Sequence, residues 1–188
     1  GQAQVDVFIR LLVSQGTSTD EADRLAQAVV DWVDGDTVTR DGAAELAFYG
    51  VAPDNQRLLG VGSLLGIPGF TPALVARLQP FVSALPPGQP LNLNTAPAEV
   101  LAAELPALGL AAAQRVVADR ERAPFLDVAD FNARFIGAGA GAACCGVASK
   151  YFLATTRSSY GESVVQLRTL LYRGTPGQWP DILWQQTL

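Results

Sequence analysis

An internal repeat constrains this chain more than any other feature. Ile67-Pro68-Gly69-Phe70-Thr71, followed by a helical pattern to about Gln79, returns as Leu105-Pro106-Ala107-Leu108-Gly109 with a helical pattern to about Arg122. The offset is 38 residues, and it also pairs Val75 with Ala113, Arg77 with Arg115 and Leu78 with Val116. Self-similarity at a fixed period marks a repeated supersecondary unit. Each unit here reads as helix, tight apolar hairpin, helix, over residues 63–82 and 95–135. In the second, Thr95 is a candidate cap and Pro97 suits a first helical turn. Asp127 would cap a last helix, Asp127 to Arg134, that packs Phe125, Val128 and Phe131.

The flanks extend this helical body and then leave it. Val5, Phe8, Ile9 and Leu12 recur at helical spacing, and Gly16 supplies a stop. Ser18 and Glu21 form a capping box ahead of a second helix with Ala22, Leu25, Val29 and Val33 on one face. Trp32, Phe48, Tyr49, Phe70 and Phe81 fall on apolar faces and read as core. Residues 137–146 are almost all Gly, Ala and Cys, which is loop composition. Beyond them the period changes to that of strands, at Tyr151–Thr156, Val164–Tyr172 and Ile182–Gln186, with a turn at Ser158–Gly161. Two or three strands cannot form a stable sheet unaided, so they must lie on the helical body or complete a larger sheet. The expected class is α+β and predominantly helical. A helical domain at 1–148 carries the tandem helix–hairpin–helix-like units, and 149–188 is a short antiparallel strand segment.

Composition removes whole classes of function. The chain has no histidine, which excludes catalytic triads, His-ligated zinc and haem. Ser and Cys nucleophiles therefore lack an imidazole base, and no carboxylate pair is singled out by spacing, so the chain is read as not an enzyme. Its two cysteines, Cys144 and Cys145, are adjacent, and no CxxC or spaced thiolate cluster exists for zinc or iron–sulfur. They are either two small loop residues or an oxidised vicinal pair. A net charge of −5 opposes non-specific binding to nucleic acid and to anionic membranes. No apolar run approaches the roughly 18 residues of a membrane helix. The chain opens Gly1-Gln2-Ala3 without a methionine, so the lack of a targeting segment says little.

Two constellations hold possible chemistry. In the acidic loop of residues 31–45, Asp34, Asp36 and Glu45 occupy positions 1, 3 and 12 of a twelve-residue frame, the oxygen-ligand spacing of a calcium loop. The fit is partial, because position 5 is Val38 and position 6 is Thr39 rather than glycine. Asp31, Asp41 and backbone carbonyls could complete a hard-cation site; a solvated acidic turn is the competing reading. The hairpins are the second. Leu-Pro-Gly-Ile-Gly hairpins bind nucleic-acid backbones through helix N-terminal amides, which makes a nucleic-acid-binding module the alternative function. Each hairpin here keeps one glycine, Gly69 or Gly109, and residues 91–136 carry six acids against four arginines. That balance favours a packing unit over a phosphate-binding surface.

The order of several segments carries a family resemblance. Leu25 to Asp36 (LAQAVVDWVDGD), Gly42-Ala-Ala-Glu45 with Phe48-Tyr49, and Val61 to Phe70 (VGSLLGIPGF) come first. Leu78 to Pro86 (LQPFVSALP), Leu91 to Pro97 (LNLNTAP), Arg122-Ala-Pro-Phe125 and Ser149-Lys-Tyr-Phe152 follow. Together they resemble the large minor pseudopilin of the bacterial type II secretion system, the K-type subunit. The resemblance implies a non-enzymatic subunit with a helical domain inserted in a pseudopilin fold, at the tip of a periplasmic pseudopilus. It implies the I-type and J-type minor pseudopilins as partners and a helical domain facing the secretin or secreted cargo. The family also binds calcium, which is carried here onto Asp34, Asp36, Asp41 and Glu45. Family members have an N-terminal helix inserted in the inner membrane and first sheet strands; neither has a counterpart in these residues.

Overall fold

The computed structural model describes residues 1–33, 58, 60–174 and 177–187. The apolar seam at the N-terminus folds as an antiparallel helix pair, α1 (Gln2–Ser14) and α2 (Thr19–Val33). Gly16 makes the turn possible by taking a φ of 88°, a left-handed conformation that side chains with a Cβ resist. Leu11, Leu12, Ala22 and Leu25 are buried along the seam. Half of the expected capping box forms: Ser18 Oγ accepts from the Glu21 amide at 3.4 Å. The Glu21 carboxylate bridges to Arg24 instead of reaching back.

The two repeat units follow with different leading helices. In the first, a 3₁₀ helix (Val61–Gly66) precedes the hairpin and α3 (Pro72–Leu78) follows it. Thr71 Oγ1 accepts from the Leu74 amide at 3.2 Å, and Pro72 supplies the first helical turn. The hairpin is seated against α2. A Cβ on Gly69, whose φ is 94°, would stand 2.8 Å from Leu25 Cδ2. The second unit is α4 (Ala98–Glu104), a hairpin and α5 (Gly109–Arg122). Thr95 does not cap α4. The preceding turn is organised by Asn92, whose Oδ1 accepts from Asn94 and whose carbonyl accepts from Thr95 and Ala96, leaving Pro97 at the cap position.

Asp127 does cap the last helix, α6 (Val128–Arg134), accepting from the Asp130 amide at 2.7 Å. Beside it Phe125, Phe131 and Phe135 form an aromatic cluster with ring centroids 5.1–6.0 Å apart. Residues 137–146 end in structure that composition did not show. β1 (Leu91–Asn92) and β2 (Cys145–Gly146) pair in parallel, Leu91 opposite Cys145. A two-residue ladder is too short to carry a period. Cys144 and Cys145 are joined as a vicinal disulfide.

The strand segment forms one antiparallel sheet in the order β3 (Tyr151–Tyr160), β4 (Ser163–Tyr172), β5 (Asp181–Thr187). The first two strands run longer than their β-rich cores, because the turn tightens to Gly161-Glu162 and Ser158 pairs with Val165. A register shift lies between Leu170 and Leu171 against β5. The fold is therefore helix-rich α+β, as the repeat and the period change imply. Its main buried cluster runs from Leu11 to Cys145 and takes no residue from β3, β4 or β5. On the sheet, Thr169 and Leu170 are buried separately.

Candidate assembly surface

The residues assigned to calcium, Asp34, Asp36, Asp41 and Glu45, lie outside the described residues, as do Phe48 and Tyr49. Asp31, at the end of α2, is described and buried. Among the described residues no group of three or more Cys, Asp or Glu is placed to hold a metal ion.

Two of the four arginines of the second repeat unit, Arg120 and Arg134, are committed to the fold. Arg120 donates through Nη1 to the carbonyls of Leu93 and Ala96 at 2.9 and 2.6 Å, and burial pushes its pKa down. Arg134 holds both oxygens of Asp130 at 2.9 and 2.6 Å, donates to the Ala123 carbonyl, and lies 5.1 Å from the centre of the Phe125 ring. The Leu126 amide and then Arg134 hold the Asp130 carboxyl below the usual carboxylate range. Arg10 is likewise spent on the Ala103 carbonyl at 2.6 Å. With Gly69 also turned onto α2, neither hairpin assembles the convergent cations a nucleic-acid backbone requires. The nucleic-acid alternative gains no support.

What stands open is the sheet. β4 is central, and β3 and β5 each present an edge with no partner strand among the described residues. The register places Phe152, Val165 and Ile182 on one face and Leu153 and Val164 on the other. All five are exposed, Ile182 at 60%. Trp179, just before β5, is 94% exposed. Exposed apolar side chains on both faces of a sheet with two unpartnered edges make it the candidate interaction surface among the described residues. The sheet's link to the helical body includes Arg168, which donates from Nη1 and Nη2 to the Gln79 amide oxygen at 2.6 and 2.9 Å when that amide is oriented to accept. The sequence signal for this surface was the mismatch between three strands and the number a free-standing sheet needs.

Two family models, both described as type II secretion system protein K, match residues 1–87 and 91–144. The chain belongs to the type II secretion system protein K family. Protein K of Pseudomonas aeruginosa is 32% identical over 182 residues, which is 93% of this chain and 54% of that protein. Protein K of Klebsiella pneumoniae is 32% identical over 181 residues, 89% of this chain and 56% of its own. That of Pectobacterium carotovorum is 36% identical over 95 residues, covering 47% of this chain and 29% of its own. The chain thus spans about half the length, or less, of these curated relatives. Among solved structures, a chain of the GspK-GspI-GspJ complex from the enterotoxigenic Escherichia coli type 2 secretion system shares the fold. The TM-score is 0.74 at 23% identity, over 97% of this chain and 69% of that one. Protein K family members are components of a secretion system. Among the described residues no helix is long and apolar enough to cross a membrane.

Proposed function

We propose that this chain is a non-enzymatic minor pseudopilin at the tip of the type II secretion pseudopilus, assembling with the I-type and J-type minor pseudopilins to support protein export across the outer membrane. The open, apolar three-stranded sheet carries this reading, in a chain of the protein K family. Residues 1–148 act as the helical domain, facing the secretin or cargo, and 149–188 as the pseudopilin segment that docks. The separation of the buried helical cluster from the sheet supports that division. The protein works in the periplasm, held in the inner membrane before assembly by the family's N-terminal helix. Co-purification of the chain with the I-type and J-type subunits tests the reading. Ile182→Asp, at an exposed position, should weaken capture at least tenfold without lowering the melting temperature. Failure of the wild-type chain to bind either subunit overturns the assembly role. Full binding by Ile182→Asp removes the sheet from the interface.

The same reading gives calcium to Asp34, Asp36, Asp41 and Glu45. Its support is the sequence itself: four carboxylates within twelve residues offer the hard oxygen donors calcium prefers. A ligand that binds only the folded state stabilises it, by about 2.7 kcal/mol when present at a hundred times its Kd. Millimolar calcium should therefore raise the melting midpoint by several degrees over the chelated protein. An unmoved midpoint ends the calcium assignment.

A further inference from the structure

A second surface lies on the helical body, lined by no residue of the sheet. One face of α5 and the segment from Arg134 to Ala138 enclose an open cleft of 660 Å³. Ala112, Ala118 and Ala138 line it with small side chains, while Phe135 and Ile136 stand as its apolar wall. Ile136 is 92% exposed, an isolated branched side chain with no cover. Arg115 and Arg122 also line the cleft. Unlike Arg120 and Arg134, which are tied to carbonyls or to Asp130, these two are exposed and make no ion pair or side-chain hydrogen bond among the described residues.

We infer that this cleft receives an acidic amphipathic helix of a partner protein, with two carboxylates seven residues apart pairing Arg115 and Arg122. Seven residues along α5 span about 10.5 Å, two helical turns, and a helix lying alongside repeats that distance between residues i and i+7 on one face. An extended segment covers it in about three residues, whose side chains then point to opposite sides. Asp119 lies between the two arginines and repels a third carboxylate, so the partner carries a neutral or basic residue between its acids. Its apolar face meets Ile136, Phe135 and the alanine floor. The described helices of a second copy do not supply that pair. No described helix carries two acids seven apart: Asp6 is alone in α1, α2 has Asp20, Glu21, Asp23 and Asp31, α4 has Glu99 and Glu104, α5 has Asp119 and Glu121, and Asp130 is alone in α6.

The test uses two fluorescein-labelled, alanine-based helical peptides with a leucine face. One carries Glu at i and i+7 with Lys between them; the other has Gln at both Glu positions. By anisotropy at low ionic strength the Glu peptide should bind at least threefold more tightly, and the advantage should fade in salt as exposed pairs are screened. Arg115→Glu with Arg122→Glu should abolish the preference, and a peptide with Lys at i and i+7 should regain it, which an unfolded variant cannot do. Ala112→Trp should weaken both peptides by filling the cleft while the helical circular dichroism stays unchanged. Equal binding of the two peptides, no binding of either, or failure of the charge-swapped pair overturns the inference. So does a dimer, seen in sedimentation, that the Glu peptide dissociates no better than the Gln peptide.

Discussion

Phe131→Ala is expected to lower the unfolding free energy by about 3–5 kcal/mol, the range for truncating a fully buried aromatic side chain. Phe131 is fully buried on α6, stacked on Phe135 and edge-on to Phe125. The cluster closes one end of the second repeat unit, and Arg134 lies against its Phe125 ring. Truncation removes one corner of a triangle of rings in mutual contact and leaves a cavity beside the other two. Urea denaturation would show the midpoint falling with an unchanged slope, the mark of lost stability rather than a changed unfolded state. Phe131→Leu keeps most of the volume and should cost less than half as much. A loss below about 1 kcal/mol for the alanine variant would mean that the cluster does not hold this end together.

Asn94→Ala is expected to cost about 2–4 kcal/mol, although it removes only a small side chain. Asn94 ties three parts of the chain at once. Its Nδ2 donates to the carbonyls of Phe125 and Val147 at 2.9 and 3.3 Å, and its Oδ1 accepts from the Phe125 amide at 2.8 Å. The start of the second repeat unit is thereby fastened to the loop before α6 and to the segment after β2. Alanine leaves the amide of a buried residue without its acceptor, and each such orphan costs about 1–3 kcal/mol. Asn94→Asp separates hydrogen bonding from size. An ionised carboxylate still accepts from Phe125 but confronts two carbonyl oxygens, so its pKa is raised in the folded state. The protonated form is then the stable one. The variant should be nearest to wild type in acid and lose stability as pH rises past about 4. A pH-independent deficit would contradict the donor role of Asn94.

Those two residues also show what the sequence disclosed and what it withheld. Phe131 was legible, because Asp127 marks a helix start and helical spacing places the ring on its inner face. The repeat, the N-terminal helix pair and the strand period were legible for the same reason, being local patterns tied to local geometry. Asn94 was not. Its partners lie 31 and 53 residues away, and no periodicity encodes a hydrogen bond of that reach. The β1–β2 ladder failed to show for a related reason: its two strands are short and its second lies in a segment whose composition imitates a loop. Thr95 misled because a capping residue is recognised by type, whereas the turn before α4 was already organised by Asn92. The open sheet was foreseen only as a deficit of strands; which side chains it bares needed the register.

The arrangement of the core has a consequence for timing. The buried cluster draws only on residues from Leu11 to Cys145, all of which precede β3 in the chain. Chains emerge N-terminus first and their units fold as they appear, so the helical body can close before the sheet has been made. The sheet then joins a body that no longer depends on it. What is left open among the described residues is then the pair of strand edges on β3 and β5. The strands that stand outside the core are therefore the part of the described fold that opens at the least cost.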